Sequence, residues 1–276
     1  MKGDLNMDKE SLIKIAKELH QSAFDANAYC QVLQQYHKNL QNYATEMRLS
    51  YAFYHTIHDA LIKACFMEIA KLYDSMPKAA TVGTLLSECE HNPDLFPKYR
   101  ETMTIEREGK TIALNFPYSH RLTPEEECFF KDQVERDRKL FASFDIPDAP
   151  HMPVDVDLTF PDLLNLYQNR FSALGKKLKV FRFQRNKYYA HNDEKYILSN
   201  ENPKRTHPIA YSDIKELISF ALNCTGFILG ILTDTNCDRN CANINDWTKT
   251  LMLTRIGMKQ QDYELQQATS HSKRTP

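Results

Sequence analysis

The chain has 276 residues, 42% hydrophobic and 26% charged, a globular composition long enough for one large or two small domains with a substantial core. A formal net charge of −1 excludes bulk, charge-driven nucleic-acid binding, and seven glycines leave no material for a glycine-rich phosphate loop. Seven cysteines, an odd and scattered set, fit a reducing cytoplasm better than a disulfide framework, and the charged opening "MKGDLNMDKESLIK" lacks the apolar run of a secretion signal.

Residues 8–43 carry a helical stripe, with Leu12, Ile15 and Leu19 followed by Val32, Leu33, Tyr36, Leu40 and Tyr43. Residues 49–74 predict a second helix. From Ala60 to Leu72 ten of thirteen residues are apolar, the pattern of a helix at the centre of a bundle, and Pro77 stops it. "TVGTLLSEC" predicts a short helix. "MTIEREGKTIALNF" alternates on both sides of Gly109-Lys110 and predicts a β-hairpin. "TPEEECFF" predicts a helix start, with Thr123 as N-cap, Pro124 at the first helical position and Glu126 completing a capping box. "FDIPDAPHMPVDVD", with three prolines and four aspartates, reads as a loop. Residues 161–192 read as one long helix. Residues 213–233 read as another with Ser212 as N-cap, and 246–266 as a last one capped by Asn245. The expectation is an all-α fold: a single helical domain over 1–266, with 81–157 as an insertion carrying the hairpin and 267–276 as a disordered tail.

"LISFALNCTGFILGILT", 217–233, is uncharged over 17 residues, the lower edge of a membrane span. Its Ser, Asn, Thr and Gly, and the lack of a flanking basic cluster, fit a buried core helix instead, so no membrane is expected. Charge is unevenly spread. Residues 122–165 hold eleven Asp/Glu against four Lys/Arg, and residues 176–205 hold nine Lys/Arg against three Asp/Glu. The basic window suits a phosphate backbone, or a solvated face neutralised by the acidic segment.

Along the 161–192 helix, Leu164, Tyr167, Phe171, Leu174, Leu178 and Phe181 recur at steps of three and four, the seam of a helix packed on other helices. The next positions in that rhythm are Arg185 and Tyr188. A guanidinium therefore stands where the pattern calls for a hydrophobe, and a buried unpaired charge is costly. Arg185 should find a partner or line a cleft or interface. On an ideal helix His191 lies about 120° round and about 9 Å along from Arg185, so the two converge only if the arginine bends back or two copies face each other.

These residue types suit RNA cleavage without metal. A histidine can take the proton of a ribose 2′-OH and return one to the leaving oxygen, an arginine can hold the phosphate and its transition-state charge, and Asn186 can orient either. The plain alternative is a helix end whose histidine complements the C-terminal dipole and whose arginine sits in a salt bridge.

The stretch "RNKYYAHND" resembles the signature of the HEPN superfamily: an arginine, a polar residue, then a histidine after four to six intervening positions, here Arg185, Asn186 and His191. "DALIKACFMEIAKLYD" and "HPIAYSDIKELISFAL" are similar to the AbiU-type abortive-infection branch, over about 45–75 and 160–235. The resemblance implies a four- to five-helix bundle that dimerises, with two motifs forming one cleft for metal-independent RNA cleavage to 2′,3′-cyclic phosphate and 5′-OH ends, and no cofactor. It also implies a toxin of phage defence restrained by a partner protein such as an antitoxin. Arg185, Asn186 and His191 would be catalytic, and Arg182, Lys187 and Tyr188 would contact RNA. Toxins of this superfamily under nucleotidyltransferase control carry a tyrosine two residues after the histidine; here that position is Asp193. The alternative is a non-catalytic HEPN module that binds RNA, a nucleotide or a protein.

Weaker signals stand apart from this motif. "YHTIHD" places His55, His58 and Asp59 at a metal-binding spacing without a third ligand family in view, and "CDRNC" pairs Cys237 and Cys241 without a second pair, so no metal site is expected.

Overall fold

The computed structural model describes residues 7–76, 78–107, 110–122, 124, 126–144, 152–186 and 208–272. Among them are nine α-helices: α1 (Lys9–Leu40), α2 (Ala44–Arg48), α3 (Tyr51–Leu72), α4 (Val82–His91), α5 (Lys131–Ser143), α6 (Phe160–Ala173), α7 (Gly175–Gln184), α8 (Tyr211–Thr233) and α9 (Asp246–Ser272). Four short strands complete the set: β1 (Glu101–Arg107), β2 (Lys110–Phe116), β3 (Tyr118–Arg121) and β4 (Asp155–Leu158). The fold is all-α with a β-hairpin, as the sequence predicts. Contacts divide the chain into two units, one of residues 1–17, 80–176 and 224–236, the other of 18–79, 177–223 and 237–276.

In the first unit, α4 is opened by a reciprocal capping box between Thr81 and Thr84. Gly83 lets it lie against α6, because a Cβ there would stand 2.9 Å from the Phe171 ring. Phe160 stacks on Phe96 at 4.1 Å, and Phe227 stacks on Tyr167 at 5.0 Å. Strands β1 and β2 pair antiparallel with Arg107 opposite Lys110, so Lys110 belongs to the strand rather than to the turn. A second pairing was not expected. Strand β4 lies antiparallel to β3 and buries Val156 and Leu158 with Val154, Leu122, Val134 and Leu163. The proline-rich segment read as a loop therefore ends in a strand, because "VDVDL" alternates apolar and acidic with period two.

Glu126 is also placed differently from expectation. Thr123 lies outside the described residues, a 3₁₀ turn occupies Glu127–Phe130, and the α-helix begins only at Lys131. Glu126 is 1% exposed, and its carboxylate meets Arg170 Nη1 and His120 Nε2, each at 3.1 Å; the capping box expected with Thr123 falls on a residue outside the described ones. An arginine and a histidine draw the carboxylate inward.

In the second unit, α3 is one-sided rather than buried all round. Cys65, Phe66, Ile69, Ala70 and Leu72 are buried, whereas Met67, Ile57, Phe53 and Tyr51 are exposed. Tyr73, just past α3, donates its hydroxyl to the Leu217 carbonyl of α8 at 2.6 Å. Helix α9 is tied to α2 by the Arg255–Glu46 ion pair, with the Arg255 guanidinium 4.2 Å over the Tyr43 ring. Asn245 does stand at its N-terminus, where its carbonyl accepts from Thr248 N–H at 3.0 Å. The helix runs to Ser272, so residues 267–272 of the expected disordered tail are helical.

Helix α8 begins at Tyr211, with the Asp213 carboxylate accepting from the Ala210 N–H at 3.2 Å, so Ser212 lies in the first turn instead of capping it. It is the one helix among the described residues long and apolar enough to cross a membrane, yet 56% of its most apolar window is buried inside the protein, as in a core helix.

Candidate functional site

The long helix expected over 161–192 is broken. Helix α6 ends at Ala173, Leu174 closes it, and α7 starts at Gly175, a residue whose backbone freedom weakens helix propagation. The apolar rhythm survives the break: Leu164, Tyr167, Leu174, Leu178 and Phe181 are all buried. Beyond Gln184 the winding widens into a π-helical turn at Arg185 and Asn186.

Three contacts fix α7 within its unit. Phe181 stacks on Phe66 at 5.1 Å. Lys177 pairs with Glu216, and with Asp213 at 3.3 Å. Arg182 donates from Nε and Nη2 to the Tyr73 carbonyl at 3.1 and 2.8 Å, satisfying a carbonyl at the end of α3. Since Tyr73 also grips Leu217, one residue joins the motif helix, α3 and α8. Arg182, expected to contact RNA, bonds backbone through these two nitrogens.

Arg185 follows on this fixed base. It is half-buried, and its Nε is buried with no hydrogen-bond acceptor among the described residues. Of the alternatives the sequence offered for this arginine, a salt bridge through Nε is absent there. Asn186 is exposed. Lys187, Tyr188 and His191 lie outside the described residues, so the relation of His191 to Arg185 does not enter the geometry.

Next to the motif, Gln184 lines an apolar cavity of about 300 Å³. Cys30, Leu33, Ile62, Cys65 and Phe66 form walls, with Tyr211 and His37 at polar positions. The Tyr211 hydroxyl donates to the Cys30 carbonyl at 3.2 Å and accepts from its thiol at 3.2 Å. Burial pushes the Cys30 and Cys65 thiols and the Tyr211 phenol up, so all three stay protonated at neutral pH and none is a ready nucleophile.

His37 belongs to a second constellation, which local spacing did not reveal. Its Nε2 lies 3.4 Å from Nε2 of His58, twenty-one residues away. His58 Nδ1 lies 3.3 Å from Asp59 Oδ1, and the other Asp59 oxygen lies 3.7 Å from His55 Nδ1. Tyr36 packs on His58 at 4.7 Å with the rings tilted by 40°, and stacks on Trp247 at 5.9 Å. Among the described residues no three or more His, Cys, Asp or Glu side chains are grouped to hold a metal ion. Cys237 and Cys241 are both free thiols.

The family model for AbiU2, a HEPN family, matches residues 9–250, a wider span than the two segments that carry the resemblance and one that includes 81–157. No curated protein and no solved structure matches the chain.

Proposed function

Because the chain belongs to the AbiU2 family of abortive-infection HEPN domains, we propose that it is a metal-independent endoribonuclease acting in phage defence. The observation that carries this reading is Arg185. Its guanidinium stands at the end of a helix clamped at three points, in a position the seam assigns to a hydrophobe, with a buried Nε lacking an acceptor among the described residues. The side chain as a whole is half-buried, and a phosphate oxygen is an acceptor suited to the accessible part of the guanidinium.

In the reaction, His191 takes the proton of a ribose 2′-OH, and the resulting oxygen attacks the adjacent phosphorus. The 5′-oxygen leaves with a proton, giving a 2′,3′-cyclic phosphate and a 5′-OH end. Arg185 stabilises the charge that builds on the non-bridging oxygens, and Asn186, exposed beside it, orients them. Lys187 attracts the RNA backbone and Tyr188 stacks on a base. Arg182 instead holds the motif helix through Tyr73. The exposed Tyr51, Phe53 and Ile57 of α3 offer an apolar surface for a second copy, and dimerisation would bring two motifs together. The site of action is the cytoplasm, with a restraining partner protein.

The test is incubation of the purified protein with total RNA in EDTA, beside folded His191→Ala and Arg185→Met variants. Cleavage by the wild type alone, leaving cyclic-phosphate ends, is the expected result; no cleavage at high protein concentration on several RNAs overturns it. One observation favours a second reading, a binding module: the apolar cavity beside Gln184 has the volume of a small-ligand site. Binding of nucleotides or tRNA by a protein that cleaves nothing would establish it.

A further inference from the structure

We propose that His37 and His58 form a two-histidine site for a divalent transition-metal ion of the zinc class, with Asp59 as the group that orients His58. The geometry matches chelation better than a hydrogen bond between the rings. Two imidazole nitrogens on one tetrahedral zinc, at about 2.05 Å each, stand about 3.3 Å apart. With about 1.15 Å from nitrogen to ring centre, the centres then lie about 5.2 Å apart. The observed values are 3.4 Å between the Nε2 atoms and 5.3 Å between the ring centres, with the rings at 89°. A straight N–H···N contact of the same length would hold the centres about 5.7 Å apart, and 3.4 Å is itself long for a hydrogen bond, whose usual length is about 3.0 Å.

The surroundings supply what a ligating histidine needs. A metal-bound imidazole donates its far N–H to a carboxylate, which fixes the tautomer and leaves the other nitrogen free to bind. His58 Nδ1 faces Asp59 Oδ1 at 3.3 Å, which assigns the lone pair to Nε2, the atom that faces His37. Tyr36, itself stacked on Trp247, packs on the His58 ring and limits its rotation. His58 is 22% exposed and His37 is exposed, so water can fill the remaining coordination positions. Imidazole selects zinc, nickel and copper over magnesium and calcium, which prefer oxygen. The proposal does not rest on the nuclease reading, since the ion is a ligand here and no catalytic step passes through it.

The test is calorimetric titration of Zn²⁺, with Mg²⁺ as control, into the wild type, His37→Ala, His58→Ala, the double variant and Asp59→Asn. Circular dichroism checks each fold, and His37→Gln repeats the His37 test with less loss of packing. The expected result is that each histidine variant loses the same single equivalent of zinc and the double variant loses no more than either alone. Asp59→Asn should weaken that site by about ten-fold or more. Mg²⁺ should give no heat. Unchanged zinc stoichiometry and affinity in His37→Ala, His37→Gln and His58→Ala overturns the proposal. Loss of two separate equivalents in the double variant overturns it too, because the histidines would then act independently.

Discussion

Replacing Arg185 by methionine removes the guanidinium and keeps most of the apolar stem that the α7 seam packs around. In an ordinary salt bridge that change costs stability. Here the Nε is buried without an acceptor among the described residues, a penalty of about 1–3 kcal/mol for a fully desolvated donor. The rest of the side chain is only half-buried, so the lower end applies and Arg185→Met should stabilise the protein by about 1 kcal/mol. For a chain of this size that is a rise of about 2–4 °C in Tm. Arg185→Ala loses the stem as well and should come out near neutral. Thermal unfolding followed by both far-UV circular dichroism and tryptophan fluorescence is the assay. The two probes matter because the chain forms two contact units and need not melt in one step. A fall of several degrees in Arg185→Met would show that the guanidinium is satisfied and holds the fold together. The argument that it is held ready for a phosphate would then fail.

Two further tests concern the packing around the site. Glu126→Ala removes a carboxylate that is 1% exposed and leaves Arg170 and His120 without it; breaking such a pair costs about 3–5 kcal/mol when both sides are buried, and about 2–3 kcal/mol here because the partners are 30% and 20% exposed. Urea denaturation should show it as a lower midpoint with an unchanged slope. The hydrogen bond from Arg255 holds the Glu46 carboxyl below its usual value of 4.5. A depressed carboxylate contributes stability that is present above the unfolded value and lost as pH falls through the folded one. The urea midpoint should therefore drop below about pH 4.5 in the wild type, and an Arg255→Ala variant should lose that part of the dependence.

What the sequence disclosed, and what it hid, divides by the range of the physics involved. Signals carried within one element were legible. The helical stripe of α1 and the hairpin of β1 and β2 both came from short-range periodicity. Even in α1, though, the large residues drew attention from the true stripe. The buried line runs Leu12, Ala16, Leu19, Ala23, Ala26, Cys30, Leu33, and its small members are buried just as its leucines are. One of them, Ala26, accepts from the Cys65 thiol through its carbonyl at 3.6 Å. Features set by distant partners were not legible. Nothing in the neighbourhood of Glu126 in the sequence announces that it pairs with Arg170, forty-four residues away. The His37–His58 pair spans two helices, and no local spacing signals it.

Arg185 sits between these cases. Its misfit in the seam was visible in the sequence, because a break in a regular pattern is itself a short-range signal. Whether the misfit was a salt bridge or an open donor depended on every element packed nearby. The structure bears on that choice at one atom: the buried Nε of Arg185 meets no acceptor among the described residues. Arg185 follows directly on a helix anchored at three points, so the protein fixes where the guanidinium starts from. A pre-positioned donor loses little freedom when an anion arrives, so binding energy is available to hold a transition state rather than to order the side chain.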